Sequence, residues 1–273
     1  MYIKLNGKKV EIQEETNHIK DLIAQHLCGQ PPEKLVIIVD GFQINKNIPL
    51  TPGMNIVVIP KGTMPDEDTL EMMMCARHTP GIYDKVKQAY VAIAGLGGLG
   101  SHIAVSLART GVGHLHLIDF DDVEPSNLNR QQYKMKHLGM PKTEALRQEL
   151  EEINPYITIT TDQIRVDDNN IKTLFLQDEI ICEAFDKPEA KSMLVNGILE
   201  HFPEKTVVAA SGMAGYGSSN AIQTKKVTNH FYICGDLESS VQPGNGLMAP
   251  RVSICAGHQA NMVLRLIIKE TEV

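Results

Sequence analysis

A glycine-rich turn between an apolar strand and a helical pattern constrains the fold of this chain more than any other feature. Residues 91–100 place Gly95, Gly97 and Gly100 in a G-x-G-x-x-G spacing directly after the strand, with Gly98 beside them. Such glycines let the backbone turn sharply and let a phosphate approach the N–H groups that open the next helix. The context predicts a nucleotide-binding loop. Tight packing of strand against helix is the alternative reason for these glycines.

A carboxylate stands where a ribose ligand is expected. The apolar run 115–118 predicts a second strand, and Asp119 follows it directly. A ribose-binding acid typically lies about 20 residues beyond the glycine loop, at the end of the second strand. Asp119 is therefore a candidate for contact with the ribose of an adenine nucleotide. A solvated carboxylate at a strand end is the other interpretation.

Strand and helix patterns alternate through most of the chain. Helices are predicted at 99–110, 142–153, 188–201 and 252–269, with a shorter one near 168–176. Strands are predicted between them, including 157–161, 179–184 and 206–210. This alternation predicts an α/β fold, with a Rossmann-like, mostly parallel sheet and helices on both faces. Residues 214–233 favour antiparallel strands, and residues 235–250 favour a loop.

The first 62 residues show a different pattern. A hairpin at Asn6-Gly7, a helical spacing over 18–28 and apolar strands at 35–39 and 55–59 predict a small unit of two strands, a helix and two more strands. This order resembles the ubiquitin-like β-grasp fold of sulfur carriers such as ThiS. Such carriers end in a free Gly-Gly, whereas this unit continues through residues 60–63. We expect domains at 1–62 and 89–273, joined by a helical connector over 63–88.

The residues after Asp119 narrow the kind of nucleotide site. The stretch 120–133 is dense in carboxylates and amides and contains Asn127 and Arg130, and Gly139-Met-Pro-Lys142 follows it. These motifs resemble the ThiF/MoeB/HesA family, the bacterial relatives of ubiquitin-activating enzymes, and among them the ThiF branch of thiamine biosynthesis. The resemblance covers roughly residues 90–270. It implies that the site binds ATP.

The resemblance assigns roles to four of these residues. It implies that Asn127, Arg130 and Lys142 bind the triphosphate and that Asp186, at a predicted strand end, is an essential Mg²⁺ ligand. Surface cations are common, and Asn127 could instead cap a turn through its side chain. Asp186 could instead be the N-cap of helix 188–201, in a capping box with Glu189.

Two further candidates lie outside the main motif. Family members place an arginine of the partner subunit on the nucleotide phosphates, and Arg77 lies in the matching segment, which implies a homodimer. A surface position is the alternative for Arg77. Cys234 precedes the glycine-rich loop and could become a covalent partner of the activated carrier, provided that its thiol is exposed and its pKa is lowered.

Composition excludes several other classes of protein. The formal net charge of −7 disfavours nucleic acid and anionic membranes as partners, and no apolar run approaches the length of a membrane span. Five scattered cysteines favour reduced thiols and a cytoplasmic location. Many members of the resembled family bind zinc through two Cys-x-x-Cys pairs. This sequence has no such pair, so we predict no zinc site.

Together these features predict an ATP-dependent adenylyltransferase. The resemblance implies that it activates the C-terminal glycine carboxylate of a small ubiquitin-like sulfur carrier of the ThiS type, with Mg²⁺, in thiamine thiazole biosynthesis. One alternative is activation of another carrier, or of a carboxylate on a modified tRNA base. A non-catalytic nucleotide sensor with a β-grasp docking unit and a nicotinamide oxidoreductase are the others.

Overall fold

The structure, a computed structural model, describes residues 1–12, 16–26, 32–62 and 64–273. These residues form two compact units, Met1–Tyr83 and Asp84–Val273. The domain limits expected from the sequence stay a prediction.

The first unit contains a five-stranded sheet in the order β2-β1-β5-β3-β4. Strands β1 and β5 run parallel, and the other neighbouring pairs are antiparallel. The predicted helix over 18–28 is observed as α1, and the positions of Leu27 and Cys28 lie outside the described residues. Strand β4 was not predicted, because three residues are too few to show an alternating pattern. The elements are β1 (Tyr2–Leu5), β2 (Lys8–Glu11), α1 (Ile19–His26), β3 (Leu35–Val39), β4 (Phe42–Ile44) and β5 (Asn55–Pro60).

Both faces of this small sheet are covered within the unit. On one face, α1 buries Ile19 and Leu22 against strand residues such as Ile56. On the other face, Ile38 and Val57 form a second apolar cluster with residues 73 and 76, which belong to helix α2 (Glu67–Met74) and the turn after it. Asp66 caps α2 by accepting a hydrogen bond from Thr69 N at 3.0 Å.

The second unit contains a seven-stranded sheet in the order β11-β12-β10-β9-β6-β7-β8. All neighbouring pairs are parallel except β11 with β12, so the predicted parallel-rich α/β fold is confirmed. The strands are β6 (Tyr90–Ala94), β7 (His114–Ile118), β8 (Thr158–Asp162), β9 (Ile180–Glu183), β10 (Thr206–Ala210), β11 (Gln223–Thr228) and β12 (Phe231–Gly235).

The helices lie close to their predicted positions. The last one begins three residues earlier than predicted, because Pro250 fits the first turn of a helix, where no N–H donor is needed. The predicted helix near 168–176 is reduced to a single turn. The helices are α3 (Tyr83–Lys87), α4 (Gly98–Thr110), α5 (Lys142–Ile153), α6 (Ile171–Leu174), α7 (Pro188–His201) and α8 (Ala249–Ile267).

Helices cover both faces of the larger sheet. Ala92 and Ala94 of β6 belong to an apolar core with Leu194 of α7. Ile93 points to the opposite face, where its Cγ2 lies 3.2 Å from the place that a Cβ on Gly100 of α4 would occupy. Alternate residues of one strand therefore pack against different helix layers.

The strand order reverses in the middle of the sheet, at β6. Strand β6 has β7 on one side and β9 on the other, and Ala94 pairs with both Ile118 and Glu183. The chain leaves β6 into the glycine loop, leaves β7 at Asp119 and leaves β9 towards Asp186. Ligands of open α/β sheets bind where strand order reverses in this way.

None of the helices among the described residues combines the length and the apolar character that a membrane span needs.

Candidate functional site

Backbone geometry requires glycine at two positions of the glycine loop. Gly95 has a φ of +92°, which disfavours other residues, and a Cβ on Gly100 would lie 1.8 Å from the carbonyl oxygen of Gly95. Gly97 is different, because its φ is −73° and a Cβ there would meet only the Gln131 side chain, at 3.8 Å. Packing therefore explains Gly95 and Gly100 but not Gly97. A Cβ on Gly97 would instead narrow the space that a phosphate needs.

Helix α4 begins without a side-chain cap. Gly97 is its N-cap residue and offers no side-chain acceptor to the N–H groups of the first turn. A Cβ on Gly98 would lie 2.9 Å from Val252 Cγ1 of α8 and 3.7 Å from Arg130 Cγ, so that residue has close neighbours. The uncapped N–H groups and the positive end of the helix dipole suit an anion.

Asp119 ties the strand end to the glycine loop. Its carboxylate accepts hydrogen bonds from Leu96 N at 2.7 Å and from Asp121 N at 2.9 Å, and only 8% of the residue is exposed. Burial raises the pKa of Asp119, although the nearby Lys142 amine and the two N–H groups oppose that shift. The residue is thus not a freely solvated carboxylate. Each oxygen retains a lone pair for a hydroxyl donor, and ribose binding stays a prediction.

Lys142 is the first residue of α5 and is 6% exposed. Its Nζ donates to Asp121 Oδ2 at 3.0 Å, and its backbone N–H donates to the carbonyl oxygen of Asp121 at 2.9 Å. A lysine buried this deeply is uncommon on an ordinary protein surface. The structure therefore places this amine beside Asp119, at the carboxyl end of β7.

Arg130 has a guanidinium that is only partly satisfied. Its Nη1 donates to the carbonyl oxygen of Ser126 at 3.1 Å and to Asn129 Oδ1 at 2.9 Å. Its Nε is buried and has no hydrogen-bond partner among the described residues. A buried donor without an acceptor is costly, so this atom suits an anionic ligand beside Gly98.

Asn127 caps a turn through its side chain, which is one of the two roles that the sequence allowed. Its Oδ1 accepts from Glu124 N at 3.0 Å at the start of a single 3₁₀ turn over Pro125–Asn127, and the residue is buried. This contact fixes the turn that leads to Arg130. Contact between Asn127 and a nucleotide stays a prediction.

Asp186 lies three residues beyond β9 and is exposed. Its carboxylate has no hydrogen-bond or ion-pair partner among the described residues. The capping alternative is wrong: the N-cap of α7 is Lys187, which makes no side-chain cap, because the helix begins at Pro188. The carboxylate is therefore available to a ligand at the edge where the glycine loop lies.

Arg77 belongs to the first unit. It is exposed, and its Nη2 donates to Gln43 Oε1 of β4. Its predicted contact with the nucleotide of a partner subunit stays a prediction.

The suggestion that Cys234 is a nucleophile is wrong. It required an exposed thiol with a lowered pKa, and Cys234 meets neither condition. Cys234 lies in β12 and is fully buried, and burial raises the pKa of its thiol to about 11. A thiol that stays protonated and out of reach cannot attack an activated carrier. Cys255 packs beside it, and its pKa is likewise raised, to about 12.

Among the described residues, no group of three or more His, Cys, Asp or Glu side chains could hold a metal ion. Since Cys28 lies outside the described range, the expectation of no zinc site stays a prediction.

Two contacts at the site were missed by sequence reasoning. The buried Tyr133 donates its hydroxyl to the carbonyl oxygen of Leu96 at 2.8 Å and so braces the glycine loop. The side chain of Gln131 lies beside Gly97, and its Oε1 is buried without a partner among the described residues. Both residues closely follow Arg130, so proximity to that residue was the only available signal.

The geometry defines a nucleotide-type α/β fold with a cationic, partly unsatisfied site at the switch point of the sheet. The ThiF family matches residues 71–273, and the ThiS-like ubiquitin family matches residues 1–62. The chain belongs to the ThiF family and carries an N-terminal ThiS-like unit.

Individual relatives match parts of the chain. The molybdopterin-synthase adenylyltransferase of Salmonella typhimurium is 39% identical over 115 residues, which are 42% of this chain and 46% of that protein. The adenylyltransferase and sulfurtransferase UBA4 of Candida glabrata is 34% identical over 134 residues, which are 49% of this chain and 30% of that protein. This chain thus aligns with less than half the length of either relative.

A solved structure supports the fold. The tRNA N6-threonylcarbamoyladenosine dehydratase TcdA of E. coli, in complex with ATP, superimposes with a TM-score of 0.65 at 21% identity. The match covers 72% of this chain and 92% of that one.

Proposed function

We propose that this protein uses ATP to adenylate the C-terminal glycine carboxylate of a small ubiquitin-like sulfur carrier. The observation that carries the proposal is the meeting of the glycine loop, Asp119, the buried Lys142 and the unsatisfied Arg130 at one edge of the sheet. The names of the relatives, which are adenylyltransferases, support the reaction.

The chemistry needs positioning and charge stabilisation more than proton transfer. A glycine carboxylate is ionised at neutral pH, so it can attack the α-phosphorus in line without a general base. An acyl adenylate forms and pyrophosphate leaves. Arg130 and Lys142 would stabilise the charge that develops on the phosphate oxygens, and the loop at Gly97 would hold the phosphates against the start of α4.

The donor set at Asp186 fits Mg²⁺. This ion is usually bound by one or two carboxylates together with phosphate oxygens and water, so a single unpaired carboxylate is sufficient beside a nucleotide. When bound, the ion would neutralise phosphate charge. Asp186 would hold it through its free oxygens.

The finer proposal names a carrier of the ThiS type, in thiamine thiazole biosynthesis. The ThiF-family match does not distinguish between carriers, and the Salmonella relative is named for molybdopterin synthase. Carriers of both kinds must therefore be compared. We also propose a cytoplasmic location and a homodimer in which Arg77 reaches the partner's nucleotide. The proposed domains are 1–62, 63–88 and 89–273.

The fused ThiS-like unit is proposed not to be the substrate. Adenylation needs a free glycine carboxylate, whereas β5 continues through Lys61 and Gly62 towards α2. In the ThiS-like unit, Met73 and Ala76 cover the face of the sheet that lies opposite α1.

The test is exchange of labelled pyrophosphate into ATP. We expect exchange that requires a separate carrier ending in Gly-Gly and that is lost when one residue is added after the last glycine. ThiS-type and molybdopterin-type carriers, assayed in parallel, identify the preferred substrate. Lack of exchange with either carrier, together with binding of NAD, would refute the proposal.

A further inference from the structure

The segment that carries Arg130 runs beside the first turns of α4 and is attached to that helix. Ser101, a fully buried residue of α4, accepts a hydrogen bond from Gln132 N at 3.1 Å and donates to the carbonyl oxygen of Gly97 at 2.7 Å. One hydroxyl thus connects the glycine loop to the main chain two residues beyond Arg130.

His102, the next residue of α4, makes a second attachment. Its Nε2 lies 3.2 Å from the carbonyl oxygen of Arg130, and its Nδ1 lies 2.9 Å from Gln132 Nε2. Ser253 Oγ of α8 lies 3.3 Å from the same Nδ1. The half-buried ring therefore touches the segment on both sides of Gln131 and also touches the last helix.

These partners define the protonation of the ring. A carbonyl oxygen only accepts, so Nε2 must carry the proton, and Nδ1 then accepts from the amide of Gln132. Burial lowers the pKa of His102, although the bond to the Arg130 carbonyl opposes this shift. A neutral imidazole with its proton on Nε2 satisfies the contacts with the Arg130 carbonyl and the Gln132 amide.

We propose that His102 is a positioning residue. It holds the main chain of Arg130 so that the guanidinium of Arg130 faces the phosphates of ATP. The inference rests on the proposed function and extends it to a residue of α4 that acts through Arg130.

The side-chain contacts of Arg130 explain why its main chain needs this support. The two hydrogen bonds that its guanidinium makes within the described chain use Nη1 and end on Ser126 and Asn129, which are exposed. Such contacts are weak anchors, because water competes for the same groups. The attachment of the main chain to the half-buried His102 and the buried Ser101 therefore contributes to the direction in which Nε points.

The test compares three single variants of the full-length protein. His102→Leu removes both ring contacts, and His102→Gln keeps an N–H donor near the position of Nε2. His258→Leu is the matched control, because His258 is also a half-buried helical histidine with a side-chain hydrogen bond, to Thr224 at 3.0 Å. The readout is the Kd of ATP, measured by calorimetry without any carrier.

We expect His102→Leu to weaken ATP binding about tenfold, the effect of losing one well-placed hydrogen bond. His102→Gln should recover most of that loss, and His258→Leu should bind ATP like the wild type. Equal weakening in His102→Leu and His258→Leu would overturn the inference, since it would reflect general loosening of the fold.

A double-mutant cycle separates positioning from a merely structural effect. If His102 acts through Arg130, the variant with both His102→Leu and Arg130→Ala should bind ATP no more weakly than Arg130→Ala alone. Additive losses would overturn the inference. Because no carrier is present, a wrong assignment of the substrate leaves this comparison intact, whereas a wild type that binds no ATP would overturn both proposals.

Discussion

The amine of Lys142 lies 3.0 Å from Oδ2 of Asp121, and these two residues are also joined by a backbone hydrogen bond of 2.9 Å. The pairing fixes the start of α5 against the end of β7. It also keeps a buried cation beside Asp119, whose pKa it helps to lower against the effect of burial. A phosphate that replaced Asp121 as the partner of the amine would find it already in place.

Replacement of Lys142 should therefore remove activity. Lys142→Met should reduce the rate of carrier-dependent pyrophosphate exchange by about 100-fold or more, because a stabilising charge at the phosphates is lost. Lys136→Met is the control, since Lys136 is half-exposed and pairs with Glu149 and Glu152 instead. Exchange by Lys142→Met at the rate of the control would contradict the assignment.

Asp186→Asn should abolish adenylate formation without affecting the fold. The carboxylate is exposed and has no partner among the described residues, so the free energy of unfolding should change by less than about 0.5 kcal/mol. Exchange assays and urea unfolding measure the two effects. Glu189→Gln, on the first turn of the neighbouring α7, is the matched exposed carboxylate. Because Asn is itself a good N-cap residue, a second variant, Asp186→Ala, tests the capping explanation that the structure rejects, and a loss of stability of about 1 kcal/mol in that variant would revive it.

Variants of Arg77 test whether the protein acts as a homodimer with Arg77 in the partner's site. Arg77→Ala and Lys142→Met subunits should each be inactive alone, and mixing them should restore part of the activity, because one hybrid site keeps both residues. Exchange kinetics of the mixture and sedimentation of the wild type provide the measurements. Wild-type activity in Arg77→Ala alone would rule out the contact in trans.

The intact chain should not modify itself. Incubation with ATP and Mg²⁺ should give no adenylated form by intact-mass spectrometry, because the ThiS-like unit continues past Gly62 and has no free glycine carboxylate. A carrier ending in Gly-Gly, added to the same reaction, should gain the mass of AMP and provides the positive control. A gain of that mass on the chain without a carrier would show that this prediction is wrong.

His116 should make stability depend on pH. Its Nδ1 lies 3.0 Å from Asp178 Oδ2 and its Nε2 lies 2.8 Å from Asp162 Oδ2, and its side chain is 10% exposed. Burial acts to lower the pKa of His116, but the hydrogen bonds and charges of the two aspartates outweigh it and raise the pKa. Protonated His116 therefore stabilises the folded protein. This contribution is complete below the unfolded pKa of about 6.5 and is lost as the pH rises through the higher pKa of the folded state.

The measurement is urea unfolding of the wild type and His116→Gln at several pH values. At pH 6 the variant should be less stable by about 2 to 3 kcal/mol, because a charged, buried hydrogen-bonded pair is broken. The difference should shrink as the pH is raised above the folded pKa. A difference that is independent of pH would mean that folding does not shift the pKa of His116, which would contradict this prediction.

Local patterns in the sequence determined much of the fold. Helices over 142–153 and 188–201 have their predicted limits, and the glycine loop and Asp119 follow parallel strands as their spacing required. Such elements are encoded within a few residues, by apolar periodicity and by turn residues with special backbone needs. The same local logic also produced the capping alternative for Asp186, which fits the sequence but not the helix that starts after Lys187.

Tertiary structure decided the properties that depend on burial. The sequence does not show that Cys234 is enclosed between neighbouring strands, that Arg130 Nε has no partner among the described residues, or that Lys142 is covered. Burial results from the packing of segments far apart in the chain, such as α4 against α8, and it controls both the pKa of a thiol and the cost of an unmet donor. The sequence by itself thus determined which residues follow each strand of the sheet. Only the packed chain decided which of them have free hydrogen-bonding capacity for a ligand.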